Sequence, residues 1–311
     1  MISQNFNKPS LDLDHQLQLL TSRGLKITNK TQAYHYLNYV GYYRLSGYWR
    51  QFYQDQISSK HCFRAEIDFS QVIEFYEFDR ELRILVLDGV ERIEVAIRAV
   101  ISNVLCQKYG GHWFLDKQNF KNNFNYNEFI NKVKIDTNYE DRGGNNPIFK
   151  SYYKKYQEPV FPPSWMLAEG LSFGTWSKLY AFLARDKDKK EIAAKFALPW
   201  AIFQSWLQCI CFVRNLCAHH AILGFRQFHI EPLKPKNWTS REQKHFTQYH
   251  SLYAQMVIIQ HFLKIIAPGN GWADRLKILF LKHKNIPLQQ MGFINNWEKE
   301  TFWVEREIKI Y

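Results

Sequence analysis

Long hydrophobic runs are missing from this sequence. The most apolar window, Trp200 to Val213, is 14 residues long and includes Gln204, Ser205 and Gln208. A membrane-spanning helix needs about 18 to 20 apolar residues, so no span is expected. The start of the chain, MISQNFNKPSLDLDHQL, has no basic n-region followed by an apolar stretch and a small-residue cleavage site, which leaves export without support. Cysteine is scarce as well: Cys62, Cys106, Cys209, Cys211 and Cys217 are odd in number and too few for a disulfide framework. Both observations point to the cytoplasm. Several signatures are also absent: a phosphate-binding Gly-x4-Gly-Lys-Ser/Thr loop, a Gly-x-Gly-x-x-Gly turn, His-Glu-x-x-His and any Cys-x-x-Cys pair. Nucleotide-driven, dinucleotide-dependent and zincin chemistries therefore have no foothold.

What is present is a helical pattern and a strong positive charge. From Phe69 to Leu105 apolar residues recur at three- and four-residue steps, with Asp79/Arg83, Asp88/Arg92 and Glu94/Arg98 spaced i,i+4. The stretch predicts one long helix or two in tandem, ended by Gly110-Gly111, and the apolar run Ile84 to Leu87 predicts burial on all sides there. Further helices are expected at Leu11–Arg23, Lys30–Tyr39, Trp165–Arg185, Lys189–Ala197, Pro199–Leu223, Ser240–Ile266 and Trp272–Leu281. Residues 116 to 163 are Asn-rich, centred on Asp141-Arg142-Gly143-Gly144-Asn145-Asn146-Pro147, and read as an irregular insertion with short helices. No sustained period-2 run of β-branched residues is found, so the fold class is all-α. The expected organisation is an N-terminal helical segment over 1–60 and a helical domain over 61–311 that carries the insertion.

The formal charge is +12, and residues 66 to 94 hold nine acids against three bases, which leaves the rest of the chain at +18. Such a surplus attracts polyanions through counterion release and long-range steering. The block at 40 to 53 interleaves Tyr42, Tyr43, Tyr48, Trp49, Phe52 and Tyr53 with Arg44 and Arg50, a composition suited to stacking on bases and holding phosphates. Aromatic clusters are more often core, so core packing of most of these rings is the default, with Tyr43, Arg44 and Arg50 as the candidates for RNA.

Directly after the most apolar helical stretch comes Arg214-Asn215-Leu216-Cys217-Ala218-His219-His220, an Arg-Asn-x-x-x-His element. These side chains form a set for phosphodiester cleavage without a metal. His219 can move a proton near neutral pH, with His220 as the alternate carrier. Arg214 can stabilise charge on the phosphorane oxygens, and Asn215 can orient the phosphate or the imidazole. RNA supplies its own nucleophile in the 2′-OH. On an ideal helix Arg214 and His219 stand about 140° apart, a difficulty that a symmetric homodimer with one shared cleft removes. The competing reading is structural: Arg214 ties helices together and the histidines cap the helix end before Gly224. Cys209 and Cys211, about 200° apart on one helix, cannot converge with Cys217, His219 and His220 on an ion, so no metal and no cofactor is expected. Glu91, Glu94 and Arg98 read either as a solvated helix face or as a polar network beneath the site. Glu169 with Ser172 reads as helix capping or an interhelical tie.

Three blocks together resemble the AbiD/AbiF family of bacterial abortive-infection proteins, whose helical domain is of the HEPN ribonuclease type. They are Gly41-Tyr42-Tyr43-Arg44-Leu45-Ser46-Gly47-Tyr48-Trp49, the stretch from Phe78-Asp79-Arg80-Glu81-Leu82-Arg83 to Glu91-Arg92-Ile93-Glu94-Val95-Ala96-Ile97-Arg98, and the segment from Trp165 through Glu169-Gly170-Leu171-Ser172-Phe173-Gly174 to Arg214-Asn215 and His219-His220. The resemblance implies a HEPN-like helical bundle, phage defence, a metal-independent endoribonuclease centre at Arg214 and His219, a homodimer, and RNA as substrate and regulatory non-coding partner. Arg98 joins the expected RNA contacts. The family usually continues after the His pair with an Arg-Leu-Trp-like stretch, where this chain has Ala221-Ile222-Leu223-Gly224-Phe225-Arg226. The rival expectation is a non-catalytic protein that holds a structured RNA in the same cleft.

Overall fold

A computed structural model of the chain describes residues 9–55, 61–236 and 238–304. Among these residues the regular structure is helical, with no strand and only isolated bridges at Lys26–Asp68, Tyr53–Phe63 and Phe120–Leu183. In chain order the helices are α1 (Leu13–Ser22), α2 (Lys30–Tyr39), α3 (Tyr42–Trp49), α4 (Phe69–Tyr109), α5 (Tyr126–Asp136), α6 (Pro147–Lys155), α7 (Ser164–Leu167), α8 (Phe173–Phe182), α9 (Asp186–Ala194), α10 (Trp200–Ala218), α11 (Ser240–Gln243), α12 (Leu252–Ile266) and α13 (Trp272–Lys282). The starts of α1, α2, α5, α6, α8, α11 and α12 are set by short polar side chains that accept from otherwise unpaired amides of the first turn. Asp12 caps α1 through the His15 amide at 2.8 Å and Asn29 caps α2 through that of Gln32 at 2.9 Å. Asn146 caps α6, which carries Pro147 in its first turn, where a missing amide costs nothing.

The chain forms two compact units, Met1–Leu82 with Leu279–Ile286, and Arg83–Ile278 with Pro287–Tyr311. In the first, Leu17, Leu20, Leu37, Leu45, Tyr48, Trp49, Phe75 and Phe78 are buried. The Tyr48 hydroxyl donates to the fully buried Asp79 carboxylate at 3.0 Å. Lys282 reaches Glu81 at 2.6 Å, which ties the end of α13 to α4 within that unit.

In the second unit α10 is the central element and packs on α8, α9 and α12. Its buried residues, Ile202, Phe203, Trp206, Leu207, Cys209, Ile210, Val213 and Cys217, follow a three- and four-residue rhythm. Trp206 stacks on Phe246 with ring centroids 5.6 Å apart and donates its indole N–H to the Leu233 carbonyl at 2.9 Å. Cys209 and Cys217 are core side chains, and burial raises the Cys209 thiol to about 12.

Four sequence expectations are refined. The 69–105 pattern is one continuous helix, ended at Gly110, which adopts a φ of +82° and donates its amide to the Cys106 carbonyl. Ile84 is 57% exposed rather than buried, because it shares the outer face of α4 with Asp88, Glu91 and Val95. The expected helix over 165–185 is interrupted: Gly170 lies against the Phe149 ring, where a Cβ would come within 2.3 Å, and Ser172 starts α8 afresh. Between Ser240 and Ile266 the chain makes α11 and a short 3-10 turn before Ser251 caps α12. The 116–163 stretch contains α5 and α6, with Phe129, Val133, Phe149, Tyr152 and Tyr153 buried.

Candidate functional site

The Arg-Asn-x-x-x-His element sits at the C-terminal end of α10, which stops at Ala218 and does not run on to Leu223. His219 is the capping residue, its amide donating to the Asn215 carbonyl at 3.0 Å. His220 follows with a φ of +56°, and its amide donates to the Cys217 carbonyl at 3.0 Å. This left-handed residue turns the chain out of the helix, in the manner of a glycine-terminated helix but with a histidine at the position. The stop is held from elsewhere in the unit: the buried Arg83 of α4 donates to the Ala221 carbonyl at 3.5 Å, and Arg226 Nε donates to the Ile222 carbonyl at 2.9 Å. Asn215, His219 and His220 are consequently exposed on the last turn and its cap, with Arg214 half-buried among them.

Beneath Arg214 lies a carboxylate. Glu94 on α4 is 13% exposed and pairs with two guanidinium groups: it accepts a hydrogen bond from Arg98 Nη2 at Oε1, and Arg214 Nε stands 3.6 Å from Oε2 as an ion pair. Arg98 Nη1 also donates to the Ala168 carbonyl at 3.0 Å. Arg214 Nη1 donates to Asn215 Oδ1 at 3.4 Å. The chain of contacts Ala168, Arg98, Glu94, Arg214, Asn215 is the polar network that the sequence left open, and it holds one face of Arg214 while leaving 41% of the side chain in solvent. A guanidinium pinned from behind by a carboxylate keeps N–H donors free for a phosphate and gives up little conformational entropy on binding one.

Two neighbours named in the sequence for other reasons were not placed at this site. Cys211 lies one helical turn before Arg214; burial drives its thiol up to about 12 and the nearby Glu94 carboxylate pushes the same way, against a hydrogen bond with Ser177 and the Arg214 charge. At that value it is a neutral thiol and not a nucleophile. Its i,i+3 spacing from Arg214 was the available signal. The second is Arg83, whose role in holding the helix stop depends on a contact 138 residues away along the chain.

Of the other candidates, Tyr43, Arg44 and Arg50 belong to the first unit. Tyr43 is 92% exposed and Arg50 is exposed, whereas the Arg44 guanidinium lies over the Tyr48 ring, 5.9 Å from its centroid. Tyr48, Trp49 and Tyr53 are core residues. Ser172 caps α8, its hydroxyl accepting from the Thr175 amide at 3.3 Å, and Glu169 is exposed. Among the described residues no group of three or more His, Cys, Asp or Glu side chains is placed to hold a metal ion.

A family model described as Abi-like protein matches residues 35–223, a span that includes the aromatic block, the acidic face of α4 and the whole end of α10. The chain belongs to the Abi-like protein family. No curated protein and no solved structure matches it. Among the described residues of this Abi-like chain, no helix is long and apolar enough to cross a membrane.

Proposed function

We propose that the protein acts in abortive infection, a phage defence, as a metal-independent endoribonuclease of the HEPN type. The observation that carries this reading is the Glu94-anchored Arg214 next to Asn215 and His219 on an exposed helix end, within the region matched to the Abi-like family. His219 serves as the general base or acid that moves the 2′-OH proton, with His220 as the alternate, and Arg214 neutralises charge on the phosphorane oxygens. Asn215 steadies Arg214 or the phosphate. The 2′-oxygen attacks the adjacent phosphorus, the 5′-oxygen leaves with a proton, and the fragment ends in a 2′,3′-cyclic phosphate. A homodimer that presents two such helix ends to one cleft supplies Arg214 and His219 from different protomers; apolar Ile84 and Ile278, 57% and 63% exposed, are available to such an interface.

A second reading, an RNA-binding protein that performs no chemistry, draws on the exposure of His219, whose ring has no orienting hydrogen bond among the described residues. The two readings separate in one comparison. Under the nuclease reading His219→Ala abolishes phage protection and growth arrest on induction while purified protein still retains RNA. Under the binding reading the same variant loses RNA retention in proportion to protection.

A further inference from the structure

Beside the guanidinium network, on the face of α4 that carries Arg98, lies a cavity of about 160 Å³ lined by Val95, Arg98, Ala99, Asn103, Trp165 and Glu169, among others. We infer that this cavity is a nucleobase pocket, in which one unpaired base of the RNA stacks on Trp165 while its phosphate engages Arg214; the inference rests on the RNA reading of the α10 end. Size restricts the occupant: pockets that enclose a drug-sized molecule run to roughly 300–1,000 Å³, so this one admits a single flat ring system. Trp165 is 55% exposed although it is the largest apolar side chain of α7, and Val95 opposite in the lining is 57% exposed. The far edge of the Trp165 indole, at Cζ3 and Cη2, lies against Gly111, where a Cβ would approach it to 2.6 Å, so the ring is braced at its tip without being covered. A rigid, uncovered indole is a stacking platform for any base, since every base offers a π-face.

The polar lining selects a base over a phosphate. The exposed Glu169 carboxylate repels an anion but accepts from exocyclic amino and ring N–H groups, and the exposed Asn103 amide both donates and accepts. Arg98 Nε is buried and has no hydrogen-bond partner among the described residues, while Nη1 and Nη2 are taken by Ala168 and Glu94. Arg98 thus belongs both to the pocket and, through Glu94, to the Arg214 anchor, which places the base subsite one side chain from the phosphate subsite.

The test uses the full-length His219→Ala protein, so that RNA is bound without being cut, and a fluorescein-labelled single-stranded 12-mer oligoribonucleotide titrated at several salt concentrations. Adding Trp165→Ala is expected to weaken binding about 5- to 100-fold with the salt slope unchanged, because a stacking interaction releases no counterions. Adding Trp165→Phe is expected to restore most of the affinity. Arg214→Ala, by contrast, is expected to lower the salt slope by about 0.7 for each phosphate it ceases to neutralise. Ala99→Trp, which fills the cavity from an exposed position and leaves Trp165 in place, is expected to cost as much as Trp165→Ala and guards against a folding artefact. If the His219→Ala protein binds the oligonucleotide and both Trp165→Ala and Ala99→Trp bind it within twofold of that parent, or if Trp165→Ala changes the salt slope, the pocket is overturned and the RNA reading stands. If neither the wild-type protein nor the His219→Ala parent retains oligonucleotide even at about 50 mM salt, the RNA reading fails and the pocket with it; if the wild type alone retains it, the same Trp165 and Ala99 substitutions in the wild type carry the test with the same criteria.

Discussion

At the residue scale Glu94 decides how Arg214 is held. A carboxylate that is 13% exposed and shared between Arg98 and Arg214 aims the second guanidinium without consuming all of its donors. Glu94→Gln keeps the shape and removes the charge, so Arg214 loses its anchor and two guanidinium groups are left in a partly desolvated place. Removing one partner of an ion network of this kind costs about 1–3 kcal/mol at this level of burial. RNA cleavage is expected to fall about tenfold, mostly in kcat, since a misaimed group hurts the transition state more than the ground state. Unchanged cleavage in Glu94→Gln would remove the positioning role. A second residue-level consequence concerns His261, whose ring Nε2 lies 3.0 Å from the Phe196 carbonyl and whose pKa burial holds below the ordinary value. His112 is lowered in the same way, against a hydrogen bond to Phe161. Above about pH 6.5 both rings are neutral folded or unfolded; below it the unfolded chain takes up the protons first. Stability is therefore expected to be full above about pH 6.5 and to decline as pH falls, giving a lower Tm at pH 5.5 than at 7.5. In His261→Gln, which keeps a donor, that difference is expected to shrink, and an undiminished difference would assign the pH response to other groups.

Among the elements, α4 and α10 carry the site, and each is shaped by close approach. Gly89 lies in the middle of α4, where glycine costs a helix about 1 kcal/mol relative to alanine. A Cβ there would stand 2.9 Å from Trp272 Nε1 and 3.0 Å from Ile259 Cγ2. The Trp272 indole cannot easily yield, because its N–H donates to the Leu85 carbonyl at 2.8 Å. Overpacking at about 1–3 kcal/mol is then larger than the gain in helix propensity, and Gly89→Ala is expected to lower stability by a net ~1 kcal/mol, read as a lower urea midpoint at unchanged m. A stabilised variant would show that α12 and α13 can withdraw. These elements also show what could be read from the sequence. The spacing of Val72 to Leu105 gave α4 its extent, and Lys30–Tyr39 coincides with α2, because long amphipathic patterns and a polar cap act locally. The breaks were hidden because tertiary contacts impose them: Phe149 on Gly170 splits the 165–185 pattern, and Arg83 holds the chain after His220 where periodicity alone continued the helix. The Arg-Asn-x-x-x-His residues were visible as an odd polar set on an apolar helix, whereas Trp165 as a platform was not, since sequence cannot distinguish an aromatic ring that packs from one that is pinned yet uncovered.

For the whole molecule, the net charge of +12 and the exposed bases bear on how RNA arrives more than on where it is cut. Binding of single-stranded RNA is expected to weaken steeply with salt, by about 0.7 in log affinity per tenfold salt for each phosphate engaged. Arg50→Glu in the first unit is expected to change this slope only if that unit touches the same strand as Arg214. The central claim is that the helix end at Arg214 and His219 cuts RNA with its own 2′-OH and no metal. The most direct measurement incubates purified wild-type, Arg214→Ala and His219→Ala protein with total bacterial RNA in excess EDTA and analyses the fragment ends. The account requires fragments with 2′,3′-cyclic phosphate termini from the wild type alone. Cleavage that disappears with the chelator, fragments with ordinary 3′-hydroxyl ends, or equal cutting by the two variants would contradict it.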